Sequence, residues 1–428
     1  MADLHLTPQD EEMLSGARGE AARLAMRVIV AMARARGASR LLDVTRAHVD
    51  GCLYQGRASL DFAERMADAG ARVRVPTTLN VGSLDLLHPD LYRGDPETAA
   101  RARRLMDLYV AMGCRPTWTC APYQLPDRPR RGEHVAWGES NAIVFANSVL
   151  GARTDRYGDF ADLCAAVTGR VPDAGLHRDE HRRGQVLFRL SGLPPSLLDE
   201  DAFYPVLGYL VGAEAGTRVP VLEGLPASVS EDRLKALGAA AATSGGVGLF
   251  HAVGVTPEAP TLDDALQGRP PERVVDVTPD AVAAARDALT SAADGPLRAV
   301  SVGTPHLSVA QVGRLAALLE GHRVHPEVEF YAQTSRHVLA EAGARGLLAP
   351  LQRAGVRVVV DTCTYVTPIL RRTDGVVMTD SAKWASYAPA NLGVRVVFGS
   401  LQECVRSAVE GRVWRDPELW AGLGGDRP

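Results

Sequence analysis

Five short apolar runs in the last third of the chain, LRAVSVG (297–303), PEVEFYAQT (326–334), VRVVVDT (356–362), GVVMTD (375–380) and GVRVVFGS (393–400), alternate with longer stretches whose apolar residues recur at helical spacing. Short Val-rich runs bounded by turn residues predict buried strands, and SVAQVGRLAALLEG, HVLAEAGARGLLAPLQRAG and LQECVRSAVEG between them predict helices. Regular alternation of the two predicts a doubly wound, mostly parallel α/β sheet. The first part of the chain repeats the arrangement less clearly. Thr7 as cap, Pro8 at the first helical position and the acids 10–12 predict a helix start, and a longer helix runs from about Gly19 to Gly37. RLLDVT (40–45), a helical 60–70 and ARVRVP (71–76) then read as a βαβ unit, and RPTWTC (115–120) as a third extended run ending at Cys120.

In open α/β sheets ligands bind beyond the carboxyl ends of the strands. The segments in that position are polar: TRAHVDG (45–51), TTLNVGSLD (77–85) and Cys120 early in the chain, then Thr304 to His306, Thr334 with Ser335, Cys363, Ser381 with Lys383, and Cys404 in the first turn of a helix. Polar and thiol groups collected on one edge point to an active site. Between the halves, residues 239–260 are rich in Gly, Ala and Pro; Thr243 to Gly246 could form an anion-binding backbone nest, but tight packing of small residues is the better explanation. The expected domains are 1–225, a bridging segment 226–292, and 293–428.

A chain of 428 residues with 46% apolar content fits two or three globular domains. No segment looks able to span a membrane: LAMRVIVAMA (24–33) is short and interrupted by Arg27, and the first residues lack a signal-peptide core, so a cytoplasmic protein is expected. Net charge is −4, which gives no electrostatic case for nucleic acid. Almost every basic residue is arginine, and lysine occurs only at 235 and 383. Six cysteines match neither a disulfide framework nor a zinc pattern.

Several ordered segments together resemble the aconitase X branch of the aconitase superfamily. They are DVTRAHVDGCLY, VPTTLNVGSLD, MGCRPTWTCAPYQLP, WGESNAIVFANSVLGARTDRYGD, GRVPDAGLH, SGGVGLFHAVGVTPEAPTL, VDTCTY, SAKWASYAP and GSLQECVRSAVEGRV, running from about Asp43 to Val413. The resemblance implies stacked doubly wound domains and an iron–sulfur hydro-lyase that dehydrates a small hydroxy acid, with cis-3-hydroxy-L-proline ahead of mevalonate 5-phosphate. It assigns Cys120, Cys363 and Cys404 as ligands of a 4Fe-4S cluster with one open iron, with 2Fe-2S or 3Fe-4S as alternatives. Three thiolates leave an iron free to act as a Lewis acid on the departing hydroxyl. Ser381 becomes the base, supported by Lys383, a compact charge in a chain that otherwise uses arginine.

His48 and Asp50 either position substrate and relay a proton or form a structural pair. Thr77, Thr78 and Asn80 either bind a carboxylate or cap the next segment, and Asn147, Arg153, His177 and His306 are further substrate contacts. Thr304 stands where the family often has cysteine, which would alter the cluster type if that position were a ligand. The small swivelling domain of the superfamily is expected as a separate partner subunit. A cluster-bearing regulatory or RNA-binding protein is the reading from another class.

Overall fold

The computed structural model describes residues 4–292 and 295–421, so the ends of the expected first and last domains lie outside the described residues. The chain forms two compact units, one from the chain up to Leu84 with Asp95–Arg183, the other from Asp85–Gly94 with the chain from Gly184 onward. No helix among the described residues is long and apolar enough to cross a membrane.

In the first unit the helix Pro8–Ser15 starts as its sequence predicts: the Thr7 hydroxyl accepts from the Asp10 amide at 3.2 Å and the Asp10 carboxylate accepts from the Thr7 amide at 3.0 Å. The strand β1 (Leu41–Asp43) pairs antiparallel with a late strand of this unit. Next come β2 (Ala47–Val49), β3 (Thr77–Leu79) and β4 (Ala136–Trp137), a parallel sheet in the order β3-β2-β4, and then β5 (Arg170–Pro172), the partner of β1. β1 falls within the apolar run 40–45 but pairs with β5, while the parallel strands β2 and β3 lie just after the two apolar runs, so His48, Thr77 and Thr78 are in strands rather than after them. The stretch 71–76 forms no ladder and bends at Arg74 and Val75, and the Val73 and Arg74 amides donate to the Met112 and Ala166 carbonyls of helix ends. Residues 115–119 do run along β3, with Arg115 N–H to Thr77 O at 2.8 Å and Thr119 N–H to Leu79 O at 3.1 Å.

The second unit carries two parallel sheets. β6 (Val186–Arg189), β7 (Pro220–Glu223), β8 (His251–Ala252) and β9 (Arg273–Asp276) pair in the order β8-β7-β6-β9. β10 (Leu297–Leu307), β11 (Glu329–Thr334), β12 (Val356–Val359), β13 (Val376–Thr379) and β14 (Arg395–Phe398) pair in the order β12-β11-β10-β13-β14. A boundary at 225 would cut the first of these sheets between β7 and β8, and 226–292 is no bridge: it supplies β8, β9 and the helices around them. The chain first leaves the five-stranded sheet's centre through β11 and β12, then returns to lay β13 on the other side of β10. The gap between β10 and β13 is therefore the topological switch point.

The small-residue stretch packs two helices backbone to backbone. A Cβ on Gly208, in the helix Phe203–Ala215, would lie 2.2 Å from the Leu237 carbonyl of the helix Glu231–Ser244. Residues 243–246 end that second helix, where carbonyls rather than amides face out, and the Ser244 hydroxyl bonds the Tyr209 and Ala240 carbonyls. The anion nest does not form.

Candidate active site

A cleft of about 430 Å³ opens at the carboxyl ends of β10, β13 and β14, and Thr304, Asp380, Ser381, Lys383, Ser400 and Lys235 are among its walls. Both lysines of the chain meet here. Helices begin around it, and their caps are serines: Ser230, Ser308, Ser381 and Ser400 each accept from the amide three residues on, at 3.0–3.3 Å. Such helix starts carry partial positive charge from unpaired amides and aligned dipoles. These helix starts and Lys383 bring positive charge to the cleft, whose wall also carries the carboxylates of Asp201, Asp232 and Asp380, with Asp232 paired to Lys235.

Ser381 caps the helix Ala382–Leu392. Its hydroxyl donates to the Thr304 carbonyl and accepts from the Trp384 amide at 3.0 Å. The Trp384 indole donates to Thr364 at 2.9 Å, which fixes the start of the helix. Lys383, only 6% exposed, follows two residues on. The Thr304 hydroxyl donates to Gln333 at 3.3 Å, and the Thr364 amide shares that acceptor at 2.8 Å.

His306 packs deeper in the same unit, with Nε2 3.8 Å from Cys363 Sγ and 3.4 Å from the Thr362 carbonyl. Burial lowers its pKa to about 4; the Thr362 carbonyl opposes this and the Lys235 charge adds to it. The Cys363 loop is held by buried carboxylates of the same unit: Asp85 accepts from the Val360 amide at 3.0 Å, and Asp361 takes a two-bond fork from Arg336 at 2.6 and 2.5 Å. Asp380 was not anticipated from the sequence. It closes β13 beside Ser381, and burial raises its carboxyl to about 6 against the pull of backbone amides, Lys235 and Arg314. An acid at a strand end next to the proposed base was the available signal.

Cys404 departs from its expected place. Its helix, Leu401–Glu410, presents Leu401, Cys404, Val405 and Ala408 on one face, and the thiol is fully buried in the apolar core with Met378, Val397 and Val312. Burial first, then the Asp380 and Glu403 charges, push that thiol well above its ordinary pKa, an environment hostile to a thiolate. The structure makes it a core residue.

The first unit gathers His48, Asp50, Thr78 and Asn80 at the carboxyl edge of its small sheet. No His–Asp pair forms: His48 Nδ1 bonds the Thr78 hydroxyl at 2.8 Å, and Asp50 accepts from the Asn80 amide. Burial lowers His48 to about 3, with the Thr119 backbone opposing. Burial, then the neighbouring Glu139 and Asp159 charges, raise Asp50 to about 8 although Asn80 works the other way. The buried Asp162, up to about 7 from desolvation, accepts from the Asp50 amide at 2.6 Å. Cys120 is buried at the end of the run along β3, and its carbonyl is fixed by Asn141 at 2.7 Å.

Four expected substrate contacts are engaged elsewhere. The Thr77 hydroxyl donates to the Val75 carbonyl at 2.8 Å. Asn147 uses its amide oxygen for the Thr154 N–H and Arg182, both at 3.0 Å, and its amide nitrogen for the Thr154 carbonyl at 2.9 Å. Arg153 donates to the His177 carbonyl at 3.0 Å and to Asp179. His177 lies between His134, 2.9 Å away, and the Tyr157 hydroxyl, and burial takes it down to about 3. These bonds brace loops within the first unit.

Parallel sheets with a cleft at their switch point, lined by a serine-capped helix start and a lysine, are the arrangement of an open α/β ligand-binding protein. The chain belongs to the aconitase X family: residues 3–180 match the family's first domain, 184–287 its second and 297–410 its third. It is 47% identical over 409 residues to a cis-3-hydroxy-L-proline dehydratase of Pseudomonas aeruginosa, covering 94% of this chain and 70% of that one. It is 36% identical to a phosphomevalonate dehydratase large subunit of Methanothermobacter thermautotrophicus, covering 94% and 98%. The crystal structure of Thermococcus kodakaraensis aconitase X in its holo-form superposes with a TM-score of 0.84 at 33% identity, covering 95% of this chain and 100% of that one. The two named relatives are dehydratases, that is, hydro-lyases.

Proposed function

We propose that the chain is the catalytic subunit of an iron–sulfur hydro-lyase that removes water from cis-3-hydroxy-L-proline, working with a separate small subunit. The observation that carries this reading is the cleft at the switch point, where Ser381 and both lysines meet a ring of helix starts. The substrate follows the relative at 47% identity, and the small partner follows the relative named as a large subunit.

The donor set fits iron. Cys363 Sγ and His306 Nε2 lie 3.8 Å apart. They are a soft thiol and an imidazole shielded from water, and Cys120, also buried, is the further thiol that the family resemblance assigns. When bound, the cluster supplies Lewis acidity toward the substrate's departing hydroxyl.

Ser381 removes the proton from the carbon bearing the carboxylate. The Trp384 amide and the helix start stabilise the serine oxygen as an anion, and Lys383 adds a full charge at the cleft wall. The same positive field offsets the negative charge that builds beside a group already anionic. Loss of one water leaves an enamine that tautomerises to a cyclic imine acid. None of the six cysteines is in a disulfide, which suits the reducing cytoplasm in which such a cluster would work.

Anaerobic purification with iron and sulfide analysis tests the reading. About four irons per chain identify the four-iron cluster and about two the smaller one. Cys120→Ala, Cys363→Ala and His306→Ala are expected to lose them. A wild-type protein that takes up no iron contradicts it.

A further inference from the structure

The steps above give the second lysine no role of its own. Lys235 sits in the first turn and a half of the helix Glu231–Ser244 and is 3% exposed, yet it is a wall of the cleft. Its ammonium meets three oxygens: Asp232 Oδ1 at 2.8 Å, Gln311 Oε1 at 2.5 Å and the His306 carbonyl at 3.2 Å. The ring closes on itself, because the Ser308 hydroxyl donates to the other Asp232 oxygen at 2.6 Å and the Ser308 amide donates to Gln311 Oε1 at 3.1 Å. One helix of the four-stranded-sheet domain thereby grips the turn between β10 and the next helix.

We propose that Lys235 is a positioning residue whose ammonium, through the His306 carbonyl, holds the His306 imidazole against Cys363. A lysine serves here because three donors diverge from one atom toward three acceptors; a planar guanidinium spreads its donors over three nitrogens and does not converge on the same point. This explains a lysine in a chain that uses arginine almost everywhere else. The group touches no reacting atom. It acts by fixing the backbone on which a metal donor is mounted, the kind of support that ligand side chains require.

The inference rests on the reading of His306 and Cys363 as metal donors, and two readouts separate it from that reading. The first is alkylation of Cys363 in the metal-free protein, followed by peptide mass mapping. Lys235→Met and Lys235→Arg are expected to raise the Cys363 rate about tenfold by freeing the His306 turn, while Cys52 and Cys114, buried in the first unit, stay protected. Asp232→Asn/Lys235→Met removes both charges and leaves none unpaired, so it folds even if Lys235→Met does not, and it is expected to show the same gain. The second readout is Co(II) alone as probe: its thiolate absorption band is expected to weaken and its affinity to fall about tenfold in the same variants. Unchanged Cys363 protection in the double variant overturns the proposal. A wild type that takes up neither cobalt nor iron defeats the metal reading instead, and the alkylation rates still decide the role of Lys235.

Discussion

Ser381 is a helix cap and, in the proposed function, the base, and one substitution separates the two. As helix cap it accepts from the Trp384 amide at 3.0 Å while its hydroxyl donates to the Thr304 carbonyl, and as the proposed base it must already be deprotonated when it takes a proton from substrate. Ser381→Ala removes both. The lost cap costs about 1 kcal/mol, and the Thr304 carbonyl left without its donor costs about 1 kcal/mol more. Asparagine caps a helix about as well as serine and can still donate to a carbonyl, but its amide oxygen is no proton acceptor of comparable strength. Ser381→Asn is thus expected to keep the wild-type unfolding midpoint while kcat falls by roughly 10²–10⁴, the usual worth of a positioned base. The assay pairs denaturant unfolding with imine-acid formation under saturating substrate and small subunit. Activity of Ser381→Asn within about tenfold of wild type refutes the base assignment, since even the low end of that range lies beyond it.

Three other outcomes follow from the packing and charge. Cys404→Ala is expected to lose about 1 kcal/mol of stability from the core while keeping its full iron content, and loss of iron would restore the thiol as a ligand. Gly208→Val, whose Cβ would lie 2.2 Å from the Leu237 carbonyl, is expected to cost about 3 kcal/mol in denaturant unfolding, and an unchanged midpoint would contradict the helix contact. Asp50 has a folded pKa raised to about 8, so the stability it contributes is fully present below its unfolded value near 3.8 and is lost as pH rises through 8. Asp50→Asn should therefore gain stability relative to wild type between pH 5 and pH 8, and a difference that stays flat across that range removes the case for a buried carboxyl.

The five-stranded sheet was legible because each of its strands is a Val-rich run flanked by helices of clear period, and its strand ends named Thr304, Cys363 and Ser381. The small sheet of the first unit was legible only approximately. Its strands are two or three residues long and include polar residues, so the apolar alternation of 71–76 drew attention to a stretch whose amides bond helix-end carbonyls. Cys404 was assigned from the family resemblance, and its spacing with Leu401, Val405 and Ala408, which marks a core face, was not weighed against that. Asn147 and Arg153 looked like site residues by polar density and His177 by its place after a turn signal, and buried loops need such groups for their own backbones. Lys235 was visible as a rarity, but its partners at 306, 308 and 311 are far along the chain, and only the fold brings them to it.

The most direct test is anaerobic turnover: iron-loaded protein with its small subunit is mixed with cis-3-hydroxy-L-proline, and the cyclic imine acid and consumed substrate are measured against an iron-stripped control. Stoichiometric conversion that depends on iron and disappears in Ser381→Asn is the predicted result. Iron-loaded protein that leaves cis-3-hydroxy-L-proline unchanged, while wild type and Ser381→Asn behave alike on any other hydroxy acid tried, would contradict the account.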